Sequence, residues 1–454
     1  MSSRSASPAR VRAVEVLRDV LRRGAEATPL LAARGDGLPP ADRDLLRELV
    51  LGVLRRRSAL DAELASVSRA PLARLSTDLR EILEVALYQI RHLDRVPRYA
   101  AVDEAVRHAR QSGGERAAKL VNAVLRKLAD RPAPAPSPAG APEVLARETS
   151  HPEFLVRQWV KRFGRETACR ILEADNLASG IDLLVNPRKT DRETLREALA
   201  REGVATEPSV LSPLGLSVVS GNPIRSPLLA AGHFTVQDVG AQALALLLPA
   251  GDLLVDLAAA PGGKSFASLA FGRARRTVSL DRSPARLRRF AENAVRLEMP
   301  EARAVAADFL APPLPAGGFD PVLLDAPCSG TGTLRKIPEI RYRVSPAGIA
   351  RLAHAQVRAV SAAAALLAPG GYLLYATCSL EEEENEGVIA KALRANEDLE
   401  LAAIEPPDSL VPFIDGARFR LLPDERTDGF TAHLLRRRDT GHGKRDTKSR
   451  IGNP

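Results

Sequence analysis

Only three cysteines occur in the 454 residues, Cys169, Cys328 and Cys378, too few for a disulfide framework. A reducing compartment is compatible with all three as free thiols. No stretch approaches about 18 uncharged apolar residues, so no membrane-spanning helix is expected. The opening MSSRSASPARVRAVEV also lacks an apolar signal-peptide core. The expected location is the cytoplasm, with no membrane partner. No C-x-x-C and no Cys/His pair at ligand spacing is present, which argues against zinc or any other bound metal. Aromatics make up only 4% while Ala, Leu, Arg and Pro abound, a skew that reads as coding bias rather than function.

What is present suits a globular protein of two or three domains, with 45% hydrophobic and 27% charged residues. The formal charge is +9, a balance that favours nucleic acid as a partner through phosphate contacts. Residues 436–450, RRRDTGHGKRDTKSR, carry +5 of it, which leaves +4 for the rest of the chain. Much of the basic character is thus confined to a Gly-containing tail, 437–454, expected to be disordered. A salt-sensitive RNA contact and a merely solvated tail are both compatible with it.

From Pro8 to Asp130 the periodicity is helical, as at Leu120, Val121, Val124, Leu125 and Leu128, which share one face. Gly, Pro and Ser interrupt it at 35–40, 70–76, 96–97 and 112–114. An all-α domain over 1–130 is expected. The stretch RPAPAPSPAGAP, 131–142, holds five prolines and reads as a stiff linker. Next come a helical pattern at 152–176 and strand signals at 181–185 and 216–219, a small α+β connector over 143–231. From about Val236 short apolar runs alternate with helical ones, the sign of α/β architecture, so a Rossmann-like domain is expected over 232–436. No dimer seam is legible, and a monomer is expected.

Five expected strands in that domain, 253–257, 277–280, 304–307, 321–324 and 372–376, end beside Asp256, Asp281, Asp308, Asp325 and Thr377–Cys378. Ligands of open α/β sheets collect at strand carboxyl ends, which makes these residues one candidate site. In DLAAAPGGK, 256–264, two glycines permit close backbone approach and the following helix start offers unpaired N–H groups. Asp281, 25 residues after Asp256, stands where an acidic group can hold ribose hydroxyls, and Asp308 could reach an adenine edge. A tight turn and helix caps would explain the same residues. The loop lacks G-x-G-x-x-G, so a cofactor without a pyrophosphate, such as S-adenosylmethionine, fits better than a nicotinamide dinucleotide.

Cys328 in DAPCSGTG and Cys378 in ATCS each follow an expected strand. Buried cysteine is ordinarily an inert small hydrophobe, the reading given to Cys169 in its helical run. For the pair, nucleophilic chemistry explains more. Carbon 5 of cytosine is too electron-poor to attack a methyl sulfonium until a nucleophile adds at carbon 6. A thiolate both attacks well and leaves well. Charge then builds toward N3 of the base, where Asp325 is a candidate acid if its proton is shared or its pKa raised. The proton on carbon 5 must leave afterwards, and a second cysteine could assist.

The stretches VQDVGAQAL, DLAAAPGGK, LLDAPCSGTGTLRKIPEIRYR, YATCSLEEEENEGVI and TDGF resemble the RNA 5-methylcytosine methyltransferases, within them the ribosomal RNA small subunit methyltransferase B (Sun) group. Residues 8–130, with DRVPRYAAVDEAV and KLVNAVLRK, resemble the NusB-like RNA-binding module that this group carries. The resemblance implies S-adenosylmethionine as cofactor and a cytosine of 16S ribosomal RNA as target, extruded so that a thiol can reach it. It implies Cys378 as nucleophile, Cys328 as the release residue, and Asp325 and Lys264 completing the catalytic set. It further implies cofactor contacts from Ala258, Ala259, Ala260, Pro261, Gly262, Gly263, Lys264, Asp281, Asp308 and Asp325. Ala258 departs from the Cys of many relatives, Ala241 from a usual Ser, and Ile337 from a common polar residue. A non-catalytic RNA-binding assembly factor that keeps the fold is the alternative. Intact Cys328, Cys378, Asp325 and Lys264 weigh against it.

Overall fold

A computed structural model describes residues 6–68, 71–134 and 140–439. Residues 135–139 of the expected linker and 440–454 of the tail expected to be disordered lie outside the described residues, whereas Arg437, counted in that tail, ends a strand. The chain divides into two units. The first comprises residues through Ser179 together with Thr333–Val344 and Pro423–Glu425, and the second takes the remainder.

In the first unit, helices Pro8–Arg23, Ala27–Gly35, Pro40–Val67, Thr77–His92 and Arg98–Ala129 enclose one apolar core. Their buried residues recur at helical spacing, as Leu46, Leu49, Val50, Val53, Leu54, Leu60 and Leu64 do along the third. Proline at the first turn suits two of these helix starts, where its missing N–H is no loss. The break expected at 112–114 is a kink at Gly114 inside Arg98–Ala129.

Helices Pro142–Thr149, Glu153–Phe163 and Arg165–Ala174 also belong to this first unit. The expected connector, 143–231, is therefore divided near residue 180. The single helical pattern read over 152–176 is two helices, because Gly164 at φ 78° takes a backbone conformation that side-chain-bearing residues rarely adopt. Thr333–Val344, expected inside the catalytic domain, is likewise part of the first unit. There the Arg341 guanidinium donates to Arg55 O, to Asn176 Oδ1 at 2.8 Å and to Asp175 O at 2.8 Å. Tyr342 donates to Leu54 O, and Ala27 N–H donates to Glu339 Oε1 at 2.9 Å. The apolar core and these buried bonds explain why the segment leaves the sheet unit.

The second unit holds two sheets. Strands β1 (Asp182–Val185), β2 (Ala205–Pro208), β3 (Gly215–Ser220) and β4 (Phe234–Val236) form an antiparallel sheet in the order β2-β3-β1-β4. Helix Arg192–Arg201, capped by Asp191 accepting Thr194 N–H at 2.9 Å, packs Leu195 and Leu199 onto Leu183, Val185, Leu216 and Phe234. The boundary expected at 232 thus falls just before a strand of this same sheet. β2, β4 and this helix carried too few apolar residues to be read from sequence.

The larger sheet contains β5 (Gly251–Asp256), β6 (Ala274–Asp281), β7 (Ala302–Ala306), β8 (Val322–Asp325), β9 (Tyr372–Thr377), β10 (Leu399–Leu401), β11 (Ile414–Asp415), β12 (Arg418–Leu421) and β13 (Phe430–Arg437). Its order is β11-β12-β13-β9-β8-β5-β6-β7, with β10 also pairing β13. β5 to β9 run parallel, and β13 pairs antiparallel with β9. Val322, Leu323 and Leu324, like Leu373, Leu374 and Tyr375, are buried on successive positions, as parallel strands covered on both faces require. The α/β reading of the sequence holds, and all five expected strands lie within three residues of their places.

Candidate active site

β5 and β8 are neighbours, but β6 and β7 continue from one and β9 from the other. Loops leaving adjacent strands part at such a reversal and open a crevice at the carboxyl ends. Asp256 ends β5 there and Asp325 ends β8.

Asp256 is 1% exposed. Its Oδ2 accepts from Ser265 Oγ at 2.7 Å, and Ser265 Oγ lies 2.9 Å from Ser279 Oγ on β6. The start of helix Gly263–Ala270 is thereby fastened to two strands. Burial raises the Asp256 pKa to about 6, against the opposing pull of Ser265, Lys264 and the Ala258 amide.

Lys264 Nζ meets Asp325 Oδ2 at 2.5 Å. Burial works against the ammonium, but Asp325, helped by Asp256 and Cys378, outweighs it and holds the lysine pKa above its ordinary value. The charge on Lys264 is therefore secure, and its proton is shared with the carboxylate at the end of β8.

Cys328 Sγ lies 3.4 Å from Cys378 Sγ. The hydrogen bond to Cys378, then burial, push the Cys328 pKa well above the usual thiol range, with Glu384 and Asp325 adding to it. Cys328 thus keeps its proton and can donate toward the other sulfur.

The two cysteine loops are joined by a group that sequence reading missed. Glu384 is fully buried. Its carboxylate accepts from Ser329 N–H at 2.9 Å, Gln356 Nε2 at 3.1 Å, Ser379 Oγ at 2.6 Å and Ser329 Oγ. Ser329 follows Cys328 and Ser379 follows Cys378, so one side chain ties together the residues adjoining both thiols. Gln356 also donates to Pro327 O at 2.9 Å. Gly332 N–H donates to Cys378 O at 2.9 Å, and a Cβ on Gly332 would stand 2.4 Å from Gly429 O, which only glycine avoids. A run of glutamates ordinarily marks a solvated face, which hid Glu384. The signal available was the Asn that interrupts the run: Asn385 Oδ1 accepts from Thr377 Oγ1 at 2.7 Å.

Cys378, Cys328, Asp325 and Lys264 are thus brought together. Ala258, Ala259, Ala260, Pro261 and Gly262 form the loop from β5 to the helix, fixed by Ala259 N–H on Leu280 O at 2.9 Å and Gly262 N–H on Ala259 O at 2.8 Å. Gly263 and Lys264 begin the helix, which Gly262 precedes without a side-chain cap. Asp281, ending β6, accepts Ser283 N–H at 2.8 Å and pairs with Arg286 at 3.1 Å. Arg286 also donates to Ala260 O, so it joins the loop to β6. Asp308, two residues beyond β7, accepts Leu310 N–H at 2.9 Å and lies 3.7 Å from Arg282. Both aspartates serve local turns. Cys169 sits in helix Arg165–Ala174 of the first unit.

Comparison with known proteins adds three matches to family models: the NusB family over residues 7–130, an RsmF/B-like ferredoxin-like domain over 151–225, and 16S rRNA methyltransferase RsmB/F over 243–436. The "Probable ribosomal RNA small subunit methyltransferase B" of Synechocystis sp. is 32% identical over 436 residues, 93% of this chain and 98% of its own. The ribosomal RNA small subunit methyltransferase B of Vibrio cholerae is 32% identical over 431 residues, 94% of this chain and 96% of its own. Among solved structures, that of PH0851 aligns with TM-score 0.75 at 24% identity, over 95% of this chain and 99% of its own. NSun6 from Pyrococcus horikoshii with SFG aligns with TM-score 0.54 at 22% identity, over 62% and 97%. At those identities the two structures establish the fold alone. The near full-length agreement in sequence with the Synechocystis and Vibrio cholerae relatives concludes the assignment: the chain belongs to the ribosomal RNA small subunit methyltransferase B family.

Proposed function

We propose that this chain methylates carbon 5 of a cytosine in 16S ribosomal RNA, with S-adenosylmethionine as methyl donor and Cys378 as covalent nucleophile. The names of its relatives supply the RNA class. The observation that carries the chemistry is the placing of two sulfurs 3.4 Å apart beside a lysine–aspartate pair.

The residues of the crevice suit the cofactor. The uncapped start of helix Gly263–Ala270 offers backbone donors, Gln237 beside it has a buried amide with no partner among the described residues, and Asp281 ends the neighbouring strand. When bound, the cofactor supplies an electrophilic methyl on a sulfonium. Ala258 to Lys264, Asp281, Asp308 and Asp325 would hold it.

The Cys378 thiolate, accepting from the Cys328 thiol, adds to carbon 6 of an extruded cytosine and forms a C–S bond. Charge moves to N3, where the Lys264–Asp325 pair provides a proton or a hydrogen bond. Carbon 5, now part of an enamine, takes the methyl group. Bonding to carbon takes away the Cys378 acceptor, the hydrogen bond to which is the first cause that holds the Cys328 pKa high. Cys328 can then release its proton to solvent and accept the one on carbon 5. The C–S bond breaks, Cys378 leaves as a thiolate, and one proton has been released overall.

Cys378→Ala should abolish methyl incorporation and covalent capture of a 5-fluorocytosine RNA. Cys328→Ala should accumulate a protein–RNA adduct that disappears when Cys378 is also replaced. Undiminished turnover in Cys378→Ala would remove the nucleophile assignment. Turnover in Cys328→Ala without trapped adduct would remove the release step.

A further inference from the structure

Gln237 follows β4 and leads toward helix Val239–Leu246. Its backbone is bonded on both sides: the N–H donates to Asp182 O at 3.0 Å, and the carbonyl accepts from Gln242 Nε2 at 2.9 Å. The side chain is different. The residue is 8% exposed, yet among the described residues neither Oε1 nor Nε2 has a hydrogen-bond partner. Leaving a buried amide unsatisfied costs about 1–3 kcal/mol per group, so such an arrangement calls for a reason.

Position supplies one. A Cβ built on Gly263 would lie 3.3 Å from Gln237 Nε2, which puts the amide against the first residue of helix Gly263–Ala270. The first N–H to bond back along this helix is that of Phe266, to Gly262 O at 2.9 Å. The amides of the opening turn have no carbonyl a turn earlier to accept them, and no capping side chain takes that role. Those donors, with the positive end of the helix dipole, favour a carboxylate. Gln237 adds a donor and an acceptor in one group, and rotation about its last bond exchanges them. An α-amino acid presents a carboxylate and an ammonium side by side, so the two sets match.

We propose that the Gln237 amide, together with the opening turn of helix Gly263–Ala270, binds the amino acid end of S-adenosylmethionine. This rests on the cofactor reading above and adds a positioning residue to it. The adenosine end would lie toward Asp281 and Asp308, along β6 and β7. Gln237 sets where the methyl-bearing sulfur sits relative to the sulfurs of Cys328 and Cys378.

Two ligands separate the ends of the cofactor: S-adenosylhomocysteine carries the amino acid and 5′-methylthioadenosine lacks it. Titration calorimetry on the full chain and on Gln237→Leu, which keeps the side chain's bulk without its polar atoms, should show Kd for S-adenosylhomocysteine raised about tenfold or more. Kd for 5′-methylthioadenosine should be unchanged. Gln237→Glu, which sets a negative charge against the carboxylate, should bind S-adenosylhomocysteine more weakly than Gln237→Leu, again with 5′-methylthioadenosine unaffected. Ligand-free Gln237→Leu should melt no lower than wild type, which separates a binding role from a structural one. Equal losses for both ligands, or no loss for S-adenosylhomocysteine, would overturn the proposal. Failure of the wild-type chain to bind S-adenosylhomocysteine would overturn the cofactor reading instead, and this inference with it.

Discussion

Replacing Glu384 tests whether one buried carboxylate keeps the two thiols in register. Four donors converge on it: Ser329 N–H, Ser329 Oγ, Ser379 Oγ and Gln356 Nε2. Hydrogen bonds to a charged group contribute about 1.5–3 kcal/mol each, but their losses do not add. The serine hydroxyls can turn to each other, since their oxygens already lie 3.1 Å apart, whereas the Ser329 N–H cannot turn at all. Glu384→Ala should therefore cost about 3–5 kcal/mol, the usual range when one member of a buried charged network is removed. For a unit of this size that corresponds to a fall of roughly 10 °C in its melting transition. Misplacement of a reacting group by about 1 Å lowers rates on the order of a hundredfold, so kcat on RNA should fall by that much at a temperature where the variant is folded. Glu384→Gln keeps an acceptor for Ser329 N–H and Gln356 and should recover most of both losses. Circular dichroism melting and single-turnover methylation provide the measurements. A melting point within about 1 °C of wild type would refute the energetic estimate. Normal turnover in a destabilised variant would refute the positioning role.

Burial holds the Asp256 pKa at about 6 in the folded chain against the ordinary 3.8 of a free aspartate, so the folded state binds more protons between those values and wild-type stability is lost as pH rises through 6. Asp256→Asn does not titrate. Its stability relative to wild type should improve by about 3 kcal/mol between about pH 4 and about pH 8, read by urea unfolding without ligand, and a pH-independent difference would count against the burial argument. Gly332→Ala places a methyl 2.4 Å from Gly429 O and 2.9 Å from Cys378 O. Turnover should fall about tenfold or more through displacement of Cys378, with Kd for S-adenosylhomocysteine within twofold of wild type, about the resolution of such a titration. Arg341→Met removes a buried cation whose bonds run to Arg55, Asp175 and Asn176, and should lower the stability of the first unit by about 3–5 kcal/mol, seen as an earlier thermal transition. An unshifted transition would show that solvent replaces those bonds.

The parallel strands were legible because each is a short apolar run ending at or just before a polar residue, and the juxtaposition of Cys328 and Cys378 was legible because each follows such a strand. Three features were not. Gly164 interrupts a helical pattern without disturbing its apolar periodicity, so the break there leaves little trace in composition. Glu384 lies in a stretch of four glutamates, and one-dimensional charge patterning cannot distinguish the buried Glu381 and Glu384 from the exposed Glu382 and Glu383 between them. Arg335, Glu339 and Arg341 lie between the Cys328 motif and a long helix, and sequence adjacency assigned them to the sheet. Their partners, Arg55, Ala27 and Asp175, are more than 150 residues away along the chain.

The excursion of Thr333–Val344 into the first unit has a consequence for dissection of the protein. The polypeptide enters that unit one residue after Gly332 and leaves it again before Ser345, midway through the half that carries the thiols. A clone starting at residue 180 would retain Arg341 and Tyr342 while discarding the backbone oxygens they bind on Arg55, Asp175 and Leu54, and would strip Arg335 O of the Arg55 guanidinium that donates to it. Two side chains and one carbonyl adapted to an interior would then face water. The two halves are therefore woven into one heritable piece, and neither is freely exchangeable by cutting the gene at a single point.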